Sequence, residues 1–287
     1  MIYKRFNNLS ILKKMTLIYA ATVLICIFIM VCILYISFTS TVKQYAYTNS
    51  SQIMNSAYKN ISSQIDDINY IFVSIQTNSQ ICNVIKDSSY DNSAQTVAEI
   101  EHFLATIDPF CRKTSRIELY ILNSDYFPSI YSEHTVFSDK EIRNTHLYSE
   151  LLDSDLTPKW YTNDNNYTSN SSIDVYKLIT DTITDMPLAI ARISINTSQF
   201  VSPLLNIRLA DTGRVFLATE THVINPENNP YINQFSTYSP LFKKTSAEES
   251  KKTYHSINGK KYIISSYPIQ NTDLLLVGVA KLSEFNK

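Results

Sequence analysis

The chain has 287 residues, with 26 acids against 25 bases for a formal charge of −1, and only three glycines and four cysteines. That balance offers no basic surface to nucleic acid, and the cysteines are too few to staple a small secreted scaffold. Gly213, Gly259 and Gly278 are too scattered to form a phosphate-cradling loop.

Residues 15–38 read MTLIYAATVLICIFIMVCILYISF, 24 residues without a charge. As a helix they rise about 36 Å, enough to cross a bilayer core of about 30 Å. Lys4, Arg5, Lys13 and Lys14 precede the run, and Lys43 is the only base between it and Lys59. This bias predicts a cytoplasmic tail at 1–14, a transmembrane helix at 15–38, and residues 39–287 outside the cell membrane. The core of a cleaved signal peptide is shorter, about 7–15 residues, so a retained single-pass anchor is expected. With the four bases before the anchor set aside, the exported part holds 26 acids and 21 bases, a formal charge of −5.

Beyond the anchor, Met54, Tyr58, Ile61, Ile65, Ile68, Phe72 and Ile75 recur at alternating steps of four and three. They predict one apolar stripe on a helix reaching about residue 76. The stripe could pair with a second copy as a coiled coil, or lie along the protein's own domain. Tyr58 and Phe72 suit a domain face better than a regular seam. A second helix is expected from Ser93 to about Lys113, with Val97, Ile100, Leu104 and Ile107 inward and Pro109 ending or kinking it. Stalk and second helix together occupy 39–115.

The period then changes to two. In RIELYIL, Ile117, Leu119 and Ile121 face one way and Glu118 and Tyr120 the other. Further strands are predicted at 129–137, 159–162, 173–183 and 188–195. A helix at 138–152 is expected behind a Ser138–Glu141 capping box. Thr197 is a candidate cap for a short helix over 198–208, with Pro203 inside it. A boundary falls near 209–212. A strand at 214–219, an Asn258-Gly259 hairpin and a last strand at 274–280 follow it. The expected fold class is α+β. It comprises an N-terminal transmembrane helix, a long stalk helix and two units with antiparallel sheets, at 116–209 and 210–287.

Little in the chain supports catalysis. The five histidines form no HExxH, and no G-x-S-x-G elbow occurs. Asp181 and Asp185 read as a polar turn rather than a hydrolase pair. No metal, cofactor or enzymatic activity is expected. Cys82 and Cys111 could pair, or be two small buried hydrophobes. A ligand pocket is better motivated. The only tryptophan, Trp160, stands beside Tyr161 in KWYT, and Tyr120, Tyr126, Tyr131 and Tyr176 lie in the same unit. Such rings offer apolar contact with a polar handle.

The order of these segments resembles the double Cache sensor region of Gram-positive sensor histidine kinases. TDMPLAIARISINTSQFVSPL is similar to the last strand and exit helix of that family's membrane-distal PAS-like domain. LADTGRVFLAT and HSINGKKYIISSYPIQNTDLLLVGVAKLSEF are similar to the opening and closing hairpins of the membrane-proximal one. The resemblance implies a two-component receptor that signals by binding a small polar ligand or a partner binding protein, with a homodimer as the expected assembly. It also implies that the chain stops before a second transmembrane helix, HAMP segment and kinase. A chemotaxis or other non-kinase receptor, or a membrane-anchored adhesion protein, is the alternative. Trp160 and Tyr161 match the family's amino-acid-binding Trp-Tyr pair. Asp181 resembles the acid that takes the ligand ammonium. Pro158 stands where the carboxylate-clamping Arg would be, which weakens the case for an amino acid.

Overall fold

A computed structural model describes residues 11–87, 93–107, 114–122, 127–128, 135–140, 142–152, 157–162, 172–219, 222–225, 229–235 and 251–285. It opens with one continuous helix, α1, Ile11–Thr77. Sixty-seven residues of helix are about 100 Å long. The first part, Ile11–Phe38, has a mean hydropathy of 3.0 and none of it is buried against protein. Leu24, Phe28 and Ile36 stand exposed along it, and the segment is long and apolar enough to cross a membrane. Beyond it, Met54, Ile61, Ile65, Ile68, Phe72 and Ile75 are all buried, with Ala57 and Ile71 beside them. The stripe therefore packs on the protein's own domains.

The helix ends where Asn78 leaves helical geometry and its side chain accepts from the Ile81 N–H at 3.1 Å. That cap starts α2, Ser79–Lys86, a short helix the sequence pattern does not announce; it buries Ile81, Cys82 and Ile85. Cys82 is a free buried thiol, whereas Cys111 lies outside the described residues. The third helix, α3, Ser93–Ile107, turns Val97, Ile100, Leu104 and Ile107 inward as expected. The stretch 108–113, with Pro109, is outside the described residues.

Among the described residues, ten strands form two five-stranded sheets. The first comprises β1 (Thr114–Ile121), β2 (Val136–Ser138), β3 (Lys159–Thr162), β4 (Ser172–Thr180) and β5 (Pro187–Asn196), in the order β2-β1-β5-β4-β3. Its pairs are antiparallel except for the edge pair β1–β2, which is parallel. The second comprises β6 (Arg214–Ala218), β7 (Val223–Ile224), β8 (Lys251–Ile257), β9 (Lys260–Pro268) and β10 (Leu275–Lys281), in the order β7-β6-β10-β9-β8 and antiparallel throughout. The β8–β9 turn is Asn258-Gly259 with φ of 50° and 72°, the left-handed pair a two-residue hairpin requires.

Several local expectations are corrected. The helix expected over 138–152 is α4, His146–Leu152, preceded by turns. Ser138 cannot cap it, because it belongs to β2, where its N–H bonds to the Pro128 carbonyl at 3.0 Å. Asp139 follows, tied to Ile121 O and to Arg143. Among the described residues, the strand expected at 129–137 is only Val136–Ser138. The strand expected to reach Ile183 stops at Thr180, because Asp181 closes the turn. The helix after β5, α5, Thr197–Leu205, is capped by Asn196 rather than Thr197. Pro203 cannot donate to the Gln199 carbonyl, but the Ser202 hydroxyl does, at 2.8 Å.

One large apolar core joins α1, α2, α3 and α5 to the inner faces of both sheets. The outer face of the second sheet carries a separate cluster under α6, Pro230–Asn233, centred on the fully buried Phe235. The outer face of the first sheet carries a third, built on Tyr120, Phe137, Leu178 and Ile190.

Candidate ligand-binding site

The period of two along β1, β4 and β5 puts Ile117, Leu119, Val175 and Ile193 on the helix side and leaves the alternate residues on the outer face. Register brings those alternates together: Glu118 lies opposite Arg192, Arg192 opposite Tyr176, and Asp174 opposite Ser194. Arg192 Nη1 donates to Glu118 Oε2 at 2.9 Å and its Nη2 to Asp174 Oδ2 at 2.8 Å. Both carboxylates are buried. Glu118 also accepts from the Tyr120 hydroxyl at 2.8 Å and pairs with Arg116 at 3.0 Å. Asp174 accepts from the Ser194 hydroxyl at 2.6 Å. The Arg192 guanidinium lies 5.8 Å from the Tyr176 ring centroid, a cation–π contact. Its Nε is buried and has no hydrogen-bond partner among the described residues.

The physical result is a charged group at the end of an apolar patch. Burial opposes the charge on Arg192, but its bonds to Asp174 and the field of Glu118 outweigh that and hold it firmly protonated. Burial pushes the Tyr176 hydroxyl up to about 12 and raises Tyr120 and Tyr161 as well, so all three stay neutral hydrogen-bonding groups. Tyr161 meets the Tyr176 ring edge-on at 5.7 Å and donates to Glu150 Oε2 at 2.7 Å. Lys159, two residues earlier on the same face, is 3.6 Å from the other Glu150 oxygen.

Of the residues singled out by sequence, Tyr126 and Tyr131 lie outside the described residues, and Tyr120, Tyr161 and Tyr176 share this face. Tyr120 is fully buried and commits its hydroxyl to Glu118, whereas Tyr161 and Tyr176 remain partly exposed. Trp160 is elsewhere. As the neighbour of Tyr161 in a strand it points to the other face, into the core, 6.3 Å from the Phe200 ring. Its indole N–H is buried and has no hydrogen-bond partner among the described residues.

Asp181 is also elsewhere. It closes the β4–β5 turn through the Ile183 N–H at 3.1 Å and the Thr184 hydroxyl at 2.6 Å, and it pairs with Lys86 of α2 at 2.5 Å. The Lys86 bond, then those of Thr184 and Ile183, hold its carboxyl at about 2, below the ordinary 3.8. A depressed carboxylate stabilises the fold above its unfolded value and loses that contribution as pH falls through its folded value. The part due to Asp181 is therefore present above about pH 4 and is lost towards pH 2. Asp181→Asn should flatten this part of the acid limb when urea midpoints are measured against pH. An unchanged limb would mean Lys86 does not hold the turn.

Glu118, Asp174, Arg192, Ser194 and Glu150 were not singled out by sequence. The available signal was a lone charge inside each apolar strand, as in SIDVY and AIARI, but no spacing says that they meet. Among the described residues, no cluster of three or more metal-ligating side chains occurs.

Compared with known proteins, the chain matches no protein-family model, and no curated protein matches it in sequence. Solved structures do match. The ligand-binding domain of Mlp24, solved with asparagine, superposes with a TM-score of 0.57 at 14% identity, over 85% of this chain and 97% of that one. The extracellular domain of mmHK1S-Z2, named as a histidine kinase, gives 0.57 at 12% identity, over 85% and 100%. The ligand-binding domain of the Pseudomonas aeruginosa PAO1 amino-acid chemoreceptor PctC, in complex with GABA, gives 0.54 at 12%, over 81% and 99%. At these identities the likeness is one of fold. The chain has the architecture of Cache-type, PAS-like extracellular sensor domains, behind an N-terminal helix long and apolar enough to cross a membrane.

Proposed function

We propose that this chain is the extracytoplasmic ligand-sensing region of a membrane-bound receptor, with residues 116–209 as the membrane-distal unit and 210–287 as the proximal one. It binds a small polar ligand and relays the event through α1 rather than catalysing a reaction, and it works as a homodimer whose output is a two-component histidine kinase. The observation that carries this reading is the outer face of the first sheet. There, partly exposed Tyr161 and Tyr176 stand beside a charged Arg192 on a fold otherwise seen in ligand-binding sensors. A chemotaxis output is the second reading, favoured by a likeness to the PctC chemoreceptor domain, at a TM-score of 0.54, comparable to the 0.57 of the mmHK1S-Z2 domain.

The ligand is expected to lie against Tyr161 and Tyr176, with Arg192 orienting its polar end. Calorimetry on the full chain in nanodiscs, against asparagine, GABA and neutral sugars, tests this. Tyr161→Ala and Tyr176→Ala should weaken binding about tenfold and cost less stability than Trp160→Ala, since both rings are only partly buried. Trp160→Ala should do the reverse, costing about 3–5 kcal/mol of stability as a buried ring. Loss of binding with Trp160→Ala alone would move the site to the helix side of the sheet. Binding that survives both tyrosine variants would remove it from this face.

A further inference from the structure

The last turn of the described chain folds back onto α1. After β10 comes a 3-10 turn, Leu282–Phe285, whose buried Phe285 stacks on Tyr47 of α1 with ring centroids 5.3 Å apart and planes 3° from parallel. Beside it Glu284, with its side chain 6% exposed, accepts from the Thr212 N–H at 2.9 Å and from the Thr212 hydroxyl. Thr212 belongs to the turn that opens the second sheet, and that turn has no slack. A Cβ on Gly213 would stand 2.1 Å from the Leu209 carbonyl oxygen and 2.7 Å from that of Val279 on β10.

Two turns farther along α1, Met54 presses on the middle of β10. A Cβ on Gly278 would stand 2.5 Å from the Met54 sulfur. Tyr58, one turn on again, meets Tyr267 of β9 at 6.3 Å. The second sheet and its last turn are thus gripped by α1 at Tyr47, Met54 and Tyr58, all on one face of the helix. Tyr47 lies nine residues past Phe38, where the apolar span ends. That is about 13 Å along the axis, just beyond a headgroup layer of roughly 5–8 Å.

We infer that the Phe285 turn is a clasp that joins β10 to α1 immediately above the bilayer, so that the two move as one lever. A clasped pair cannot pass a signal by sliding the end of β10 along a stationary α1. It must tilt, rotate or shift α1 itself, or open at Tyr47–Phe285. This consequence for signalling rests on the receptor reading; the mechanical coupling does not.

Amide hydrogen exchange on the full chain in nanodiscs, without ligand, tests the coupling. Phe285→Ala should speed exchange about tenfold in the 282–285 turn and also in residues 44–56 of α1, with β1 and β5 unchanged. Tyr47→Ala should give the same pattern. The double variant should add little to either single one, because both remove one contact. Phe285→Tyr should restore protection. If Phe285→Ala unfolds the second sheet, Thr212→Val provides the milder test. It removes one Glu284 bond, leaves the rings, and should produce a smaller rise in the same two segments. Faster exchange confined to the 282–285 turn, or additive effects in the double variant, would overturn the clasp. Neither outcome touches ligand binding on the first sheet, which the calorimetry reads separately.

Discussion

Aspartate at Ile65 is expected to cost the fold about 3–5 kcal/mol, because the new charge would be buried among the apolar side chains of the core with no counter-charge to pair with. Ile65 is buried in the stripe by which α1 packs under both sheets, between Ile61 and Ile68. Ser63 lies on the opposite, exposed face of the same turn. Ser63→Asp should therefore stay within about 0.5 kcal/mol of the parent. Urea unfolding of both variants in nanodiscs, followed by tryptophan fluorescence, reads the difference, since Trp160 belongs to the same core. Equal losses would mean that the buried stripe is not what holds the helix to the domains. In a receptor, the Ile65 variant should also shift resting output, as it weakens the element that reaches the membrane.

Arg192→Met carries the second large effect. It would leave Glu118 and Asp174 buried without the counter-charge they share, at a cost of about 3–5 kcal/mol. Glu118 would keep Arg116 and the Tyr120 hydroxyl, and Asp174 would keep Ser194. Those remaining contacts place the loss at the lower end of the range. Adding Glu118→Gln and Asp174→Asn should recover most of it, because the repulsion and desolvation disappear with the charges. Arg192→Lys should fall between, since a single ammonium cannot reproduce a fork that bonds two carboxylates and covers the Tyr176 ring. A near-neutral Arg192→Met would show that the acids are solvated in solution and that this face is open. Full recovery of stability without recovery of ligand binding would separate the architectural role of Arg192 from its proposed role toward ligand.

Periodicity made the helices legible. The stripe from Met54 to Ile75 is buried except at Tyr58, which is partly buried, and that from Val97 to Ile107 is buried throughout, because a helix has one buried side and its period is visible in a single segment. The Asn258-Gly259 hairpin was legible for a similar reason. Its left-handed backbone is a property of two adjacent residues. The short helix over Ser79–Lys86 was not, since eight residues hold barely two turns of pattern and its start depends on one Asn78 cap.

The candidate site was half legible. Aromatic content singled out Tyr120, Tyr161 and Tyr176, but it grouped them with Trp160, which alternation along β3 sends to the opposite face. It also left Asp181 as a possible ligand acid, where Lys86, 95 positions earlier in the chain, claims it for a turn. What the amino-acid sequence determined by itself was what near neighbours carry most strongly: the apolar span, the stalk stripe, the centres of the longer strands and the Asn258-Gly259 turn. Only the tertiary structure decided that Glu118, Asp174 and Arg192 form one charged group. Their contact depends on how β1, β4 and β5 align, and strand register is set by the whole buried face rather than by any residue that uses it.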